Sequence, residues 1–193
     1  MPRSLFRLAI GAAAGYLFAV RPWHLRWGAD DREVHAEMPG DDLIRHPQYQ
    51  ATRAVNVDAP PASVWAWLVR LGGYRPGGGQ DRPAPETAAP EAAATAQEGP
   101  KVGEVLDGGD FVVETIDPPH TLVLALRGAD ATTTCSISLR DLEDGKTRMI
   151  YRLRIRAEPN VRGTTYLASM DVSDFLTMRR QMLTIKERAE SAH

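Results

Sequence analysis

Alternating apolar and polar positions dominate the second half of the chain and predict β-strands. Cys135, Ile137 and Leu139 alternate with polar residues across 132–142, and 147–156 repeats the pattern after a four-residue turn. A period of two indicates one buried and one wet face, and such short turns join antiparallel neighbours. Shorter strands are predicted at 101–106, 111–116 and 121–127. The segment therefore reads as an antiparallel meander.

A helical period follows the last strand. Apolar residues recur three or four positions apart from Phe175 to Ala189, which predicts one amphipathic helix from Met170 to about Ala189. Residues 159–169 are predicted as a connecting loop. This helix is the only element long and apolar enough to cover the sheet.

The pattern in the first half of the chain predicts fewer helices and strands. Val55 and Val57 indicate a strand within 49–58, and 63–71 reads as a short helix ended by two glycines. Glycines, prolines and alanines fill 75–100, which is typical of a long flexible loop. Three units result: an apolar N-terminal helix (1–22), an extended arm (23–48) and a domain (49–190) that contains this loop.

The N-terminal segment allows three interpretations. Its apolar stretch from Leu8 to Val20 lies between arginines and is short for a membrane span, which takes about 20 residues. An uncleaved membrane anchor, a buried or amphipathic helix and a cleaved signal all stay open. Contact with a membrane through Leu8 to Val20, and a membrane-associated or cytoplasmic location, are left open with them.

The predicted fold class is α+β, with a curved antiparallel sheet wrapped around the C-terminal helix. A twisted antiparallel sheet curls, and one helix laid across its hollow side leaves room for a small ligand. Nine residues are predicted to line that space: Trp65, Val113, Leu124, Ile137, Tyr151, Leu153, Phe175, Met178 and Met182. Tyr151 is the best polar group among them to orient a ligand through its hydroxyl.

Three stretches carry a resemblance to a known family: Val55-Asn56-Val57-Asp58-Ala59-Pro60-Pro61-Ala62-Ser63-Val64-Trp65, the 174–183 portion of the last helix, and Arg21-Pro22-Trp23-His24-Leu25-Arg26-Trp27-Gly28 in the arm. Together they resemble the SRPBCC superfamily, the START/Bet v 1-like and polyketide cyclase-related group, in an actinobacterial-type member. The resemblance implies a helix-grip fold. It also implies lipids, sterols, polyketides or hormones as ligands, with cyclase or dehydratase activity in some members.

The composition and charge of the chain limit the kinds of partner and site that it can have. A net charge of −2 gives no basic face for nucleic acid, and the arginines of 148–156 read as a solvated sheet face. The single cysteine and five scattered histidines predict no disulfide, metal site or cofactor. No carboxylate pair or nucleophile–base pair is visible, so no catalytic residue is assigned.

The preferred hypothesis is therefore carriage of a small hydrophobic molecule. The alternatives are a cyclase- or dehydratase-type enzyme on an aromatic or polyketide-like substrate, and a fully packed structural or interaction module. Whether the protein is an enzyme, and its oligomeric state, are left open.

Overall fold

Five antiparallel strands and one long C-terminal helix form the main body of the described part of the chain. The computed structural model describes residue 11 and residues 14–73, 99–106 and 110–192. The strands are β1 (Tyr49–Val57), β2 (Val112–Asp117), β3 (Thr121–Arg127), β4 (Ala131–Asp141) and β5 (Thr147–Ala157). They form one open sheet in the order β1–β5–β4–β3–β2. With the C-terminal helix α4 (Val161–Ser191), this confirms the predicted α+β class.

The sheet has one strongly apolar face, which we call the inner face. One row of directly opposed residues crosses all five strands: Ala51, Leu153, Cys135, Leu124 and Val113. Opposed residues lie on the same side of a sheet, and all five are buried. Helix α4 contacts β1 and β5 on the inner face, and α3 (Pro61–Arg70) contacts both α4 and β4.

The C-terminal helix begins earlier than predicted. Residues 159–169, expected as a loop, supply its first turns, because Asn160 caps the helix by accepting a hydrogen bond from the backbone N–H of Gly163 at 2.7 Å. A Cβ at position 163 would lie 2.2 Å from the carbonyl oxygen of Glu158, so only glycine fits this approach. The helix then runs without a break, as predicted for Met170 to Ala189.

The strand predicted at 101–106 is wrong. Its one bridge joins Val105 to Val112, and a turn occupies Val102 and Gly103. The other predicted strands are confirmed within one or two residues. Most of the predicted loop at 75–100 lies outside the described residues.

The arm is not extended; it folds onto the second, outer face of the sheet. It contains α2 (Asp31–His35) and a 3₁₀ turn (Asp41–Ile44). Asp30 and Glu33 form a capping box that starts α2. Gly28 has φ +72° and approaches β1 so closely that a Cβ would lie 2.1 Å from the carbonyl oxygen of Ala54.

The predicted solvated arginine row is therefore wrong for three of its four members. Arg148, Arg152 and Arg154 bind the arm, and only Arg156 is exposed. Arg152 is 1% exposed and donates to the side chain of Asp41 at 2.7 Å. Arg148 donates through two nitrogens to Glu33, each at 2.7 Å. Strand alternation identified this face correctly, but the arm covers it.

The N-terminal segment packs beside the C-terminal helix. A π-helical turn (Tyr16–Val20) runs directly into α1 (Arg21–Leu25). Among the residues described, no helix has the length and apolar character to cross a bilayer. The division into three units stays a prediction, and residues 1–10 fall outside the described part.

Candidate functional site

Eight of the nine predicted ligand-contacting residues share one core. Those on the sheet lie on the inner face and are fully buried, and the two methionines of α4 are buried against them. Trp65 of α3 packs on the edge of the same core while staying partly exposed. The members are Val113, Leu124, Ile137, Tyr151, Leu153, Met178, Met182 and Trp65. Their contact with a ligand stays a prediction.

Phe175 is placed elsewhere. Its ring lies 5.4 Å from that of Trp23, 5.5 Å from His24 and 6.4 Å from Trp27, all measured between ring centres. Trp23 and Trp27 meet it in edge-to-face geometry, a favourable arrangement for aromatic pairs. Phe175 thus joins the N-terminal segment to α4 at the border of the core.

Tyr151 is the most informative polar residue on the inner face. Its side chain is fully buried, and its hydroxyl has no hydrogen-bond partner among the described residues. Burial raises the pKa of Tyr151 well above the ordinary value, so the hydroxyl stays protonated and can donate. Directly opposite across the sheet lie Ile137 on β4 and Arg53 on β1.

Arg53 and Asp174 form an ion pair inside the core. Arg53 Nη1 lies 2.6 Å from Asp174 Oδ2, and both side chains are 0% exposed. Tyr49 donates to the same carboxylate oxygen at 3.0 Å, and Arg53 also donates to the carbonyl oxygen of His24 at 2.8 Å. The Sδ atom of Met178 lies 3.1 Å from Arg53 Nη1. One charged group therefore ties β1, α4 and the N-terminal segment together.

The pKa directions around this pair follow from burial and charge. Burial alone lowers the pKa of Arg53, but the neighbouring Asp174 carboxylate outweighs it and the net pKa is raised. Burial and Asp174 both raise the pKa of Tyr49. Burial also raises the pKa of the Cys135 thiol well above its usual range, so this cysteine is a buried core residue rather than a reactive thiolate.

Sequence reasoning missed Arg53 and Asp174, although both carried a signal. Arg53 occupies the inward register of its strand, between Ala51 and Val55. Asp174 stands four residues from both Met170 and Met178, within the apolar stripe of the helix. A charged residue on each of two inward-facing stripes predicts a buried pair.

A second polar cluster holds the N-terminal segment on α4. Tyr16 donates to Asp171 Oδ2 at 2.6 Å, and Arg21 Nε lies 3.0 Å from Asp171 Oδ1. Burial and the hydrogen bond to Asp171 raise the pKa of Tyr16 to about 12. His24 is buried beside Tyr16, and this burial lowers the pKa of its imidazole. Within the described ranges, no three His, Cys, Asp or Glu side chains are grouped to hold a metal ion.

Comparison with known proteins gives neighbours in structure only. No protein-family model and no curated protein matches the chain. CalU16 from Micromonospora echinospora is 18% identical, with 74% of this chain and 84% of that chain covered, at a TM-score of 0.35. The self-sacrificing resistance protein CalC from the same organism is 11% identical, with 74% and 94% covered, at 0.43. Protein MLL2253 from Mesorhizobium loti is 12% identical, with 75% and 99% covered, at 0.45.

These scores are too low to support an argument about family or function. The α+β architecture rests on the structure itself. The resemblance to the SRPBCC superfamily, and to its actinobacterial members in particular, stays a prediction.

Proposed function

We propose that the protein binds a small, largely apolar molecule that carries one hydrogen-bonding group, between the inner face and α4. The unpartnered, fully buried hydroxyl of Tyr151 carries the proposal. Burying a hydroxyl without a partner costs about 1–3 kcal/mol, so native structures nearly always supply one. A ligand oxygen or nitrogen placed against Oη would supply it here.

The surroundings of Tyr151 define the expected chemistry of the ligand. Ile137, Leu153 and Met149 offer apolar surface around it. The charge of Arg53 is already matched by Asp174, so an anionic ligand is not needed to neutralise it. The Tyr151 hydroxyl is therefore an unpaired polar group in apolar surroundings, and a neutral ligand with one hydrogen-bonding group fits such a site best.

A second candidate is an enzyme in which Tyr151 polarises or protonates a bound substrate. The observation that favours it is the arrangement of Tyr151, Arg53, Asp174 and Tyr49 on adjoining parts of one core. The raised pKa of Tyr151 keeps its hydroxyl protonated, so it would polarise a substrate by donating a hydrogen bond rather than act as a general base. Conversion of an extracted or added ligand by the purified protein would distinguish this candidate from simple carriage.

The first test uses the protein as purified. Extraction with organic solvent followed by mass spectrometry should release a neutral, apolar passenger. The stripped protein is then titrated with 6-propionyl-2-dimethylaminonaphthalene, an apolar fluorescent ketone whose carbonyl oxygen can accept a hydrogen bond from the Tyr151 hydroxyl. The proposal expects saturable binding with an increase in fluorescence.

The second test changes one atom. Tyr151→Phe should weaken the binding of this probe roughly five- to tenfold, the value of one neutral hydrogen bond. Tyr166→Phe is the matched control, because its hydroxyl lies 3.0 Å from Thr133 Oγ1 and already has a partner. Equal affinity of wild type and Tyr151→Phe would remove Tyr151 from the site. A wild type with neither passenger nor probe binding would favour the fully packed module.

A further inference from the structure

The N-terminal segment displays large apolar side chains to solvent. Phe18 is 83% exposed, and Leu17, Val20 and Trp23 are each about half exposed or more. Leu176 of α4, also exposed, directly follows in sequence the Phe175 whose ring packs against Trp23. We call these five residues the apolar patch. A cluster of exposed large apolar side chains marks an interaction surface more often than isolated ones do.

The patch is held in place rather than loosely attached. Tyr16 and Arg21 both bind Asp171 of the C-terminal helix, and the ring of Trp23 packs on Phe175. His24, one residue beyond Trp23, is buried. The segment therefore has an anchored side, and its exposed side chains are presented on a fixed support.

Charge indicates the kind of partner. The first 29 residues contain four arginines and no aspartate or glutamate. Arg21 is paired with Asp171 and Arg26 with Asp31, so the formal excess of positive charge comes from Arg3 and Arg7. A two-fold contact of this segment with itself would bring like charges together, whereas anionic headgroups would attract them. Tryptophan next to arginine is also typical of segments that lie at a membrane–water boundary.

We propose that the apolar patch docks the protein peripherally on a bilayer that contains anionic lipids. Leu17, Phe18, Val20 and Trp23 enter the boundary between headgroups and acyl chains, and the positive charge of the segment attracts anionic headgroups. This mode needs no spanning helix, because an apolar helix face with basic flanks lies in the interface plane. It is independent of ligand binding at Tyr151.

The test is flotation of the full chain with vesicles of phosphatidylcholine, alone or mixed with phosphatidylglycerol. Leu17→Ser combined with Phe18→Ser should lower partitioning onto the mixed vesicles roughly tenfold or more, because two exposed apolar side chains no longer insert. Val102→Ser combined with Val161→Ser is the control, since Val161 is 82% exposed and neither valine belongs to the patch. The control should partition like wild type. Matching thermal unfolding midpoints verify that all variants fold.

A second part of the test examines the role of charge by replacing Arg3 and Arg7 with glutamine. Partitioning onto the mixed vesicles should fall roughly fivefold per arginine and should weaken with added salt. Three results would overturn the proposal: wild type floats with neither vesicle; the patch and control variants lose binding equally; or the patch variant abolishes a concentration-dependent dimer while wild type does not float. The last result would assign the patch to a second copy of the chain. Tyr151→Phe should float like wild type, which separates this outcome from that of the ligand proposal.

Discussion

The paired strands β1 and β5 bury one arginine on each face of the sheet, Arg152 on the outer face and Arg53 on the inner face. The two arginines differ in how completely their hydrogen-bond donors are paired. On the outer face, Arg152 makes five hydrogen bonds, to Thr52, Asp41 and the carbonyl oxygens of Glu33, Val34 and Ala36. A guanidinium has five N–H donors, so this group is saturated. The outer face thus uses its charge to hold the arm.

On the inner face, Arg53 is bound less completely. One of its contacts is to the thioether sulfur of Met178, and the one to Tyr49 is long, at 3.4 Å. Across the sheet from it, the hydroxyl of Tyr151 has no partner among the described residues. On the outer face, Asp41 Oδ1 and Arg154 Nε also have no hydrogen bond, but they lie 3.1 Å apart as an ion pair. The outer face therefore has a structural role, whereas the hydroxyl of Tyr151 on the inner face retains hydrogen-bonding capacity. That difference is why the candidate site is placed on the inner face.

The largest expected effect comes from Asp174→Ala. The substitution leaves the Arg53 charge buried without its carboxylate, and breaking a buried pair on one side costs about 3–5 kcal/mol of unfolding free energy. Unfolding in urea, followed by circular dichroism, measures it. The double variant Arg53→Met with Asp174→Leu should recover most of the loss, because no buried charge remains. If the unfolding free energy of Asp174→Ala alone stays within about 1 kcal/mol of wild type, water reaches the Arg53 charge.

A smaller loss is expected from Arg152→Met on the outer face. The change removes five hydrogen bonds but leaves no charge buried, because Asp41 keeps Arg154 at 3.1 Å. The loss should be about 2–3 kcal/mol, with faster amide hydrogen exchange confined to residues 29–46. Arg156→Met is the matched control on the same face of β5, and as an exposed position it should stay within about 0.5 kcal/mol. Unchanged amide hydrogen exchange in the arm would contradict the proposal that Arg152 holds the arm on the outer face.

The sequence predicted the strands well because their alternation results from the burial of a single face. Cys135, Ile137 and Leu139 on β4 lie on the inner face as the period requires. Alternation does not reveal what covers the opposite face. The partners of Arg148 and Arg152 are Glu33 and Asp41, more than 100 residues earlier in the chain, and no local pattern joins them.

The start of α4 was missed for a different reason. Gly163, Thr164 and Thr165 are poor helix formers, and the apolar stripe does not extend to them. Asn160 was the available signal, since asparagine is a favoured cap. The candidate site was predicted in part: the inward register selected Tyr151, but its missing partner is a three-dimensional property. Arg53 and Asp174 were identifiable only by comparing the inward stripes of two distant elements.

The smallest expected effect is on the unfolding free energy when the hydroxyl of either of two buried inner-face tyrosines, Tyr49 or Tyr151, is removed. Tyr49→Phe removes a hydrogen bond to a carboxylate and should cost about 1.5–3 kcal/mol of unfolding free energy. Tyr151→Phe removes a hydroxyl that has no partner among the described residues, so the stripped protein should be unchanged or more stable by up to about 1 kcal/mol. Both variants delete one oxygen from a buried ring, which makes each the control for the other. Because a ligand would give the Tyr151 hydroxyl a partner, the stability gain should vanish or reverse when probe is added. Equal losses in both variants would mean that the hydroxyl of Tyr151 is satisfied in solution, and the contrast between the two faces would then no longer hold.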